Sequence, residues 1–143
     1  MSAENPATAL YALAATIVAL HLVALALWTG TVRVMRKQWV NPEDARLNKG
    51  EHVDLEHEDV SRVKRAHGNA IENALPFFVV GALYAATAPG RTAALAYFGT
   101  FVAVRLLHSI FYLWGRQPFR TLSFAAGVLA VIGMAVHVLR FFA

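Results

Sequence analysis

Two groups of polar side chains interrupt stretches of sequence that are otherwise apolar. The first group has spacings of three, four and three residues and consists of Arg62, Arg65, Asn69 and Glu72. The second has spacings of three and four residues and consists of Arg105, His108 and Tyr112. On a helix, residues three or four apart lie on one face. Each group therefore predicts a helix with a single polar face.

The charges of these groups do not balance one another. Arginines at positions 33, 65, 105 and 120 face one carboxylate, that of Glu72. Because a guanidinium grips carboxylates with two parallel hydrogen bonds, the surplus predicts a small anionic ligand that also carries one amine. The alternative is a purely structural ion pair between Glu72 and Arg105.

The elements that carry these residues are long and apolar. Of the 143 residues, 57% are hydrophobic and 15% are charged, whereas soluble domains have about 25% charged residues. The apolar residues form four blocks, which predict helices over about 7–34, 61–88, 91–114 and 118–142. Each could cross a hydrocarbon core about 30 Å thick. Since a soluble bundle would show a polar stripe on every helix, we expect one all-α domain over 1–143, an integral membrane four-helix bundle.

The connection over about 35–60 is rich in charges of both signs and predicts a solvent-exposed loop. His52 and His57 lie there among acidic residues, but their spacing matches no compact metal motif, so we expect no metal site. The chain has no cysteine. Thiol chemistry would therefore need a thiol supplied by a ligand. Basic and aromatic residues do not alternate as in single-strand binders, which argues against nucleic acid as a partner.

The distribution of Lys and Arg predicts the membrane orientation. The first and third connections carry ten of these residues, whereas the opposite side carries only Arg91 and Arg140. By the positive-inside rule, both connections should be cytoplasmic and both termini non-cytoplasmic. No charged path leads to the other face, which disfavours a transporter or channel.

Several short strings together resemble the MAPEG superfamily, the membrane-associated proteins in eicosanoid and glutathione metabolism, and within it the microsomal prostaglandin E synthase 1 type. In chain order they are Gly30-Thr-Val-Arg33, Asn41-Pro-Glu-Asp-Ala45, Arg62-Val-Lys-Arg-Ala-His-Gly-Asn-Ala-Ile-Glu72, Pro76-Phe-Phe78, Arg105-Leu-Leu-His-Ser-Ile-Phe-Tyr112 and Pro118-Phe-Arg120. They cover roughly residues 30–125.

The resemblance implies a homotrimer with glutathione bound between adjacent protomers near the cytoplasmic side. The implied glutathione contacts are Arg33, Asn69, Glu72, His108, Tyr112 and Arg120, with Arg65 and Arg105 in the same polar network. It also implies that Arg120 stabilises the glutathione thiolate, assisted by the Thr121 hydroxyl and partnered by Asp44.

The chain also departs from the prostaglandin synthase pattern. Gly68 replaces an arginine, Ala70 an acidic residue, Phe124 a tyrosine and Thr121 a serine. Prostaglandin specificity is therefore not carried over. The resemblance implies a membrane-bound glutathione-dependent transferase or peroxidase, or a related isomerase, acting on lipophilic electrophiles or hydroperoxides from the bilayer. The alternative is a non-catalytic lipid-binding or regulatory membrane protein on the same fold.

Overall fold

The computed structural model describes residues 5–143, so residues 1–4 of the expected domain lie outside it. Four long helices and a short folded connection make up the chain. The elements are α1 Pro6–Arg36, β1 Gln38–Trp39, α2 Pro42–Leu47, β2 Glu51–His52, α3 Glu58–Ala86, α4 Arg91–Leu113 and α5 Phe119–Phe142. The helices α1, α3, α4 and α5 pack against one another, with α4 and α5 in the most extensive contact.

Local sequence signals set the ends of the first long helix. The Asn5 side chain accepts a hydrogen bond from the Ala7 backbone N–H at 3.0 Å, and Pro6 occupies the first turn, where its missing N–H costs nothing. Lys37 closes the helix in a left-handed conformation. Arg33 and Arg36 lie in the last turn, where positive charge complements the helix dipole.

The connection after α1 is more ordered than the exposed loop expected from the sequence. The strands β1 and β2 pair in parallel and flank α2. Gly50 is required here, because a Cβ at this position would collide with the Trp39 ring. Trp39 and Ala45 are buried, which gives the connection a small core of its own.

The helix α3 begins at Glu58, earlier than the expected 61, because the His57 side chain accepts from the Asp59 backbone N–H. Pro76 lies inside this helix. Proline lacks the N–H that would bond the carbonyl four residues earlier, that of Glu72. The helix continues through this point, as helices packed against neighbours in a membrane bundle can.

Aromatic side chains fill the bundle interior away from the charged end. Phe77 of α3 stacks on Phe101 of α4 with ring centroids 4.1 Å apart and also meets Phe98 edge-on at 6.1 Å. Tyr11 of α1 packs on Phe98 at 5.7 Å, and its hydroxyl donates to the Phe78 carbonyl oxygen at 2.7 Å. This cluster joins three of the four long helices.

Three helices, α1, α4 and α5, are long and apolar enough to cross a membrane. Their outer surfaces carry many exposed large apolar side chains, as expected for a surface that faces lipid. The helix α3 has 29 residues, but Asn69, Glu72 and Asn73 lower its hydropathy. Length and composition therefore identify three membrane-spanning candidates rather than the expected four.

A partly buried carboxylate fastens the connection to the bundle. Glu56 accepts hydrogen bonds from Arg33 at the end of α1 and from Lys64 in α3, the latter at 2.8 Å. Burial raises the pKa of the Glu56 carboxyl, but the hydrogen bonds from Lys64 and Arg33 outweigh this and hold its pKa below the ordinary value of 4.5. The ionised form is therefore the one that the fold stabilises.

We predict that this contribution to stability depends on pH. Because the folded-state pKa lies below the unfolded one, the stabilisation is complete above about pH 4.5 and is lost as the pH falls through the folded-state value. Glu56→Gln should lower the thermal unfolding midpoint at pH 7, and the difference from wild type should shrink below pH 4.5.

The matched control is Glu43→Gln. Glu43 is exposed in α2 and has no ion pair within residues 5–143. Its replacement should leave the midpoint nearly unchanged at every pH. A Glu56→Gln difference that stays constant from pH 7 to pH 3.5 would contradict the role given to the ionised carboxylate.

Candidate functional site

Arg105 lies buried in the bundle, with 3% of its surface exposed. Its Nη2 donates to the Asn69 side-chain oxygen at 2.7 Å and to the Asn69 backbone carbonyl at 3.3 Å. The ion pair with Glu72, which was the alternative interpretation of the sequence, is not formed within residues 5–143. Nη1 has no hydrogen-bond partner among residues 5–143. Asn69 therefore orients the guanidinium without neutralising it.

A glycine on α5 makes room for this side chain. A Cβ at Gly127 would lie 3.2 Å from Arg105 Cδ and 3.4 Å from Val104 Cγ2. The α5 backbone thus passes directly over the aliphatic stem of Arg105. The apolar stem is covered, while the charged group points towards α3.

His108 and Tyr112 continue the same face of α4, as their spacing predicts. His108 is 3% exposed, and its ring lies 5.7 Å from that of Tyr112 and 6.1 Å from that of Phe124. Its Nδ1 atom has no hydrogen-bond partner in the described part of the chain. Buried polar atoms without a partner are uncommon in native proteins.

Arg120 enters the same region from the first turn of α5. Its guanidinium carbon lies 4.8 Å from the centre of the Tyr112 ring, a cation–π contact. The Gln117 amide is assigned the orientation that satisfies both neighbours, in which its oxygen accepts from Arg120 Nη2 at 2.7 Å and its nitrogen donates to the Thr121 hydroxyl at 2.9 Å. Gln117 thus orients both Arg120 and Thr121. The sequence interpretation missed it, although its position four residues before Thr121 was a usable signal.

These residues line one open cavity of about 220 Å³, here called the α4–α5 cavity. Its lining comprises Asn69, His108, Tyr112, Arg120, Thr121 and Phe124. Arg105 does not line this cavity, but it bonds to Asn69, which does. Among residues 5–143 no carboxylate lines it, so the Arg120 guanidinium borders the cavity without a carboxylate beside it.

Other predicted site residues lie elsewhere in the chain. Arg33 and Asp44 line a second cavity of about 550 Å³ between the connection and the start of α3, together with Glu56 and Lys64. Arg33 is bonded to Glu56, and Asp44 accepts from the Asn41 side chain at 3.0 Å. Within one chain Asp44 and Arg120 therefore belong to separate cavities.

Arg65 and Glu72 lie on the exposed face of α3. Neither makes an ion pair within residues 5–143. Ile71 and Leu75 flank Glu72 on this face and are 38% and 61% exposed. A carboxylate surrounded by apolar side chains on a helix in this setting is costly unless another group covers it.

The amino-acid sequence is similar to those of known proteins over most of its length. The pattern of the MAPEG family matches residues 11–140. Human "Microsomal glutathione S-transferase 1" is 38% identical over 88% of this chain and 84% of its own. Human "Prostaglandin E synthase" is 32% identical over 95% of this chain and 90% of its own. With most of its length matched at this identity, and with three long apolar helices, the chain is a membrane protein that belongs to the MAPEG family.

Proposed function

We propose that this protein is a membrane-bound glutathione-dependent transferase or peroxidase for lipophilic electrophiles or hydroperoxides. The observation that carries the proposal is the α4–α5 cavity, where the Arg120 guanidinium meets an amide, an imidazole and a phenol, with no carboxylate among the described lining residues and with Arg105 bonded to the Asn69 amide. The relatives named as a glutathione transferase and a prostaglandin synthase support an enzyme of this class. A glutathione-dependent isomerase belongs to the same proposal.

Glutathione offers the chemistry that this cavity lacks. It has two carboxylates, one ammonium group and one thiol. Within residues 5–143, Nη1 of Arg105 and Nδ1 of His108 have no hydrogen-bond partner, so in this proposal each bonds a polar group of glutathione. Tyr112 adds a hydroxyl, and Asn69 adds its amide. Guanidinium contacts hold the carboxylates of glutathione in place. The glutathione thiol can then approach Arg120.

The start of α5 suits activation of the thiol. A free thiol has a pKa of about 8.5 and is mostly protonated at neutral pH. The Arg120 guanidinium, the Thr121 hydroxyl and the positive end of the α5 dipole each favour the thiolate. Gln117 holds the first two of these groups side by side. The thiolate then forms a C–S bond with the electrophile, or it attacks the terminal oxygen of a hydroperoxide. In the second case the O–O bond breaks, the alcohol leaves, and the glutathione sulfenic acid so formed reacts with a second glutathione to give the disulfide and water.

We further propose that the complete site forms between protomers of a homotrimer. The α4–α5 cavity, at about 220 Å³, is smaller than the roughly 300 Å³ at which small-molecule sites begin. Glu72, Arg65, Arg33 and Asp44 all lie outside it in one chain. If a neighbouring protomer covered the exposed face of α3, such residues of one chain would lie next to the α4–α5 cavity of its neighbour. Glu72 would then receive the glutathione ammonium group.

In this proposal α3 is the fourth membrane-spanning helix, shielded from lipid at Glu72 by the neighbouring protomer. The charged connection and the turn before α5 are cytoplasmic, and both termini are non-cytoplasmic, as the distribution of Lys and Arg predicts. The lipophilic substrate arrives laterally from the bilayer.

A non-catalytic lipid-binding or regulatory protein is the second candidate. The exposed apolar surfaces of α1 and α5 are compatible with it. It gives no role, however, to a buried arginine whose Nη1 atom has no partner in the described chain. The two candidates differ in one measurable property, which is glutathione-dependent turnover.

We predict that Arg105→Ala and Glu72→Ala each weaken glutathione binding at least tenfold, which corresponds to about 1.4 kcal/mol. Each change removes a charged group that would bond the ligand in a partly desolvated site. Calorimetry on the detergent-solubilised protein measures the effect. Arg91→Ala, at the opposite end of α4, is the matched control and should bind normally.

Retention of the elution volume in gel filtration must accompany each of these measurements. Truncation of one polar partner in a buried site also destabilises proteins, and a misfolded variant is not informative. Unchanged affinity in two intact variants would mean that Arg105 and Glu72 are structural.

The shared site has its own test, which is complementation. When Arg105→Ala and Glu72→Ala chains are co-expressed, random assembly creates interfaces at which one protomer supplies Arg105 and its neighbour supplies Glu72. About a quarter of the sites in closed homo-oligomers should then be intact. Glutathione binding capacity should recover to that level, while either variant alone stays inactive. No recovery in mixed oligomers would contradict a site shared by these two residues.

We predict that Arg120→Ala lowers turnover far more than it lowers glutathione affinity, because the neutral thiol gains little from the guanidinium. The ultraviolet absorbance of the thiolate reports the pKa of the bound thiol. In wild type it should lie at least one unit below the free value, about 1.4 kcal/mol, and in Arg120→Ala it should return towards that value. Thr121→Val should shift it less, since a hydroxyl is an uncharged donor.

The result that would defeat the enzyme proposal is specific. A bound thiol with an ordinary pKa in wild type, together with no glutathione-dependent turnover of a generic electrophile or of cumene hydroperoxide, would favour the lipid-binding candidate.

A further inference from the structure

A third cavity lies at the charged end of the bundle, apart from the α4–α5 cavity. It has a volume of about 330 Å³ and is formed where the end of α1, the start of α3 and the end of α4 meet. We call it the interfacial cavity. Its lining is Trp28, Val32, Met35, Arg36, Asp59, Arg62, Val63, Leu113 and Trp114. The proposed function assigns it no role.

One half of the interfacial cavity is apolar and faces the bilayer. Trp28, Met35 and Trp114 are 46%, 68% and 70% exposed. They belong to or directly follow α1 and α4, two of the helices that are apolar enough to span a membrane. Tryptophans are enriched at the level of lipid headgroups, where an amphipathic ring is stable. The cavity therefore opens at the boundary between hydrocarbon and water.

The other half carries two ion pairs. Arg36 donates to Asp59, and Arg62 donates to Glu58 at 3.0 Å. Gly115 has a φ of +65°, and a Cβ there would lie 3.3 Å from Arg62 Nη1. The Arg62 guanidinium is thus held between Glu58 and the turn that follows α4.

This half presents charges of both signs. Two guanidiniums, those of Arg36 and Arg62, and one carboxylate, that of Asp59, line the cavity, while Glu58 pairs with Arg62 from outside the lining. The pairs are partly exposed rather than sealed from ligands. An anionic headgroup would meet a carboxylate as well as cations. A headgroup with one negative and one positive group matches both signs.

We propose that the interfacial cavity binds the headgroup of a zwitterionic phospholipid that carries a primary amine, that is, phosphatidylethanolamine. The phosphate lies between Arg36 and Arg62, in the geometry that guanidiniums favour for phosphate. The ammonium donates N–H bonds to Asp59, which a quaternary amine cannot do. The glycerol and upper acyl chains pack on Trp28, Val32 and Leu113.

Such a lipid would join three helices at this end, of which the chain directly links only α1 and α3, through the connection. Its phosphate joins the last turn of α1 to the first turns of α3, and its chains cover Leu113 of α4. The bound lipid would thus stabilise the end of the bundle on which the connection rests.

The experiment uses full-length protein in phosphatidylcholine vesicles with small fractions of brominated lipid. In a Trp39→Phe background, Trp28 and Trp114 are the remaining tryptophans, and both line the cavity. Bromine quenches their fluorescence on contact, so quenching at low mole fraction reports preferential occupancy. We expect brominated phosphatidylethanolamine to associate at least threefold more strongly than phosphatidylcholine, and more strongly than phosphatidylglycerol.

A second test changes the charge of the cavity. Asp59→Asn removes the ammonium acceptor and leaves a net positive cluster, so the preference should change from phosphatidylethanolamine to phosphatidylglycerol. Arg91→Gln, at the opposite end of α4, is the control and should retain the wild-type preference.

Three results would overturn the proposal. Equal quenching by the three lipids would mean that only bulk lipid contacts the tryptophans. A wild-type preference for phosphatidylglycerol would identify a cationic surface instead. A preference for phosphatidylcholine would mean that the tryptophan rings, rather than Asp59, bind the headgroup amine. The comparison of the three lipids in the Trp39→Phe background needs no substitution at the cavity. It therefore remains decisive even if Asp59→Asn misfolds.

Discussion

A guanidinium buried among apolar helices is the constraint on which the polar end of this structure depends. Arg105 is almost fully covered, and an ion in such a place is costly unless polar groups surround it. Asn69 supplies two acceptors from α3, and Gly127 on α5 makes room for the stem. Three helices are therefore placed relative to one another by a single side chain. The Nη1 atom of the same side chain has no hydrogen-bond partner within residues 5–143.

The bundle divides into two ends with different physical roles. At one end, Phe77, Phe98 and Phe101 pack closely and require nothing from solvent or ligand. At the other, ion pairs such as those of Glu56 fasten the connection to the helices, while Arg105 and Arg120 remain without carboxylate partners in the described chain. Rigid packing at the first end holds the unbalanced charges of the second in place. That arrangement suits a site that must receive an anion without rearranging.

The two cavities that contain predicted site residues share no lining residue. Their separation, and the exposed carboxylate of Glu72 between apolar neighbours, together favour a site completed by another copy of the chain. The interfacial cavity differs from both, because it combines two guanidiniums and one carboxylate with a half lined by apolar side chains.

The sequence alone indicates where the long helices lie, which residues share one face of α4 and to which family the chain belongs. The apolar blocks gave the positions of the four long helices to within a few residues, since uninterrupted hydrophobicity is a local property of the chain. The periodic spacing of Arg105, His108 and Tyr112 correctly placed them on one face of α4. The similarity of short strings identified the MAPEG family, which the matches over most of the chain confirm.

Only the tertiary structure decided which polar groups meet. In the folded protein Arg105 bonds to Asn69 rather than to Glu72, and Gln117 lies beside Arg120. The connection packs around Trp39. Helical periodicity specifies the face on which a residue lies, but partners on different helices depend on how those helices pack. That packing is set by contacts such as the close approach at Gly127, which the chain makes only when distant segments come together.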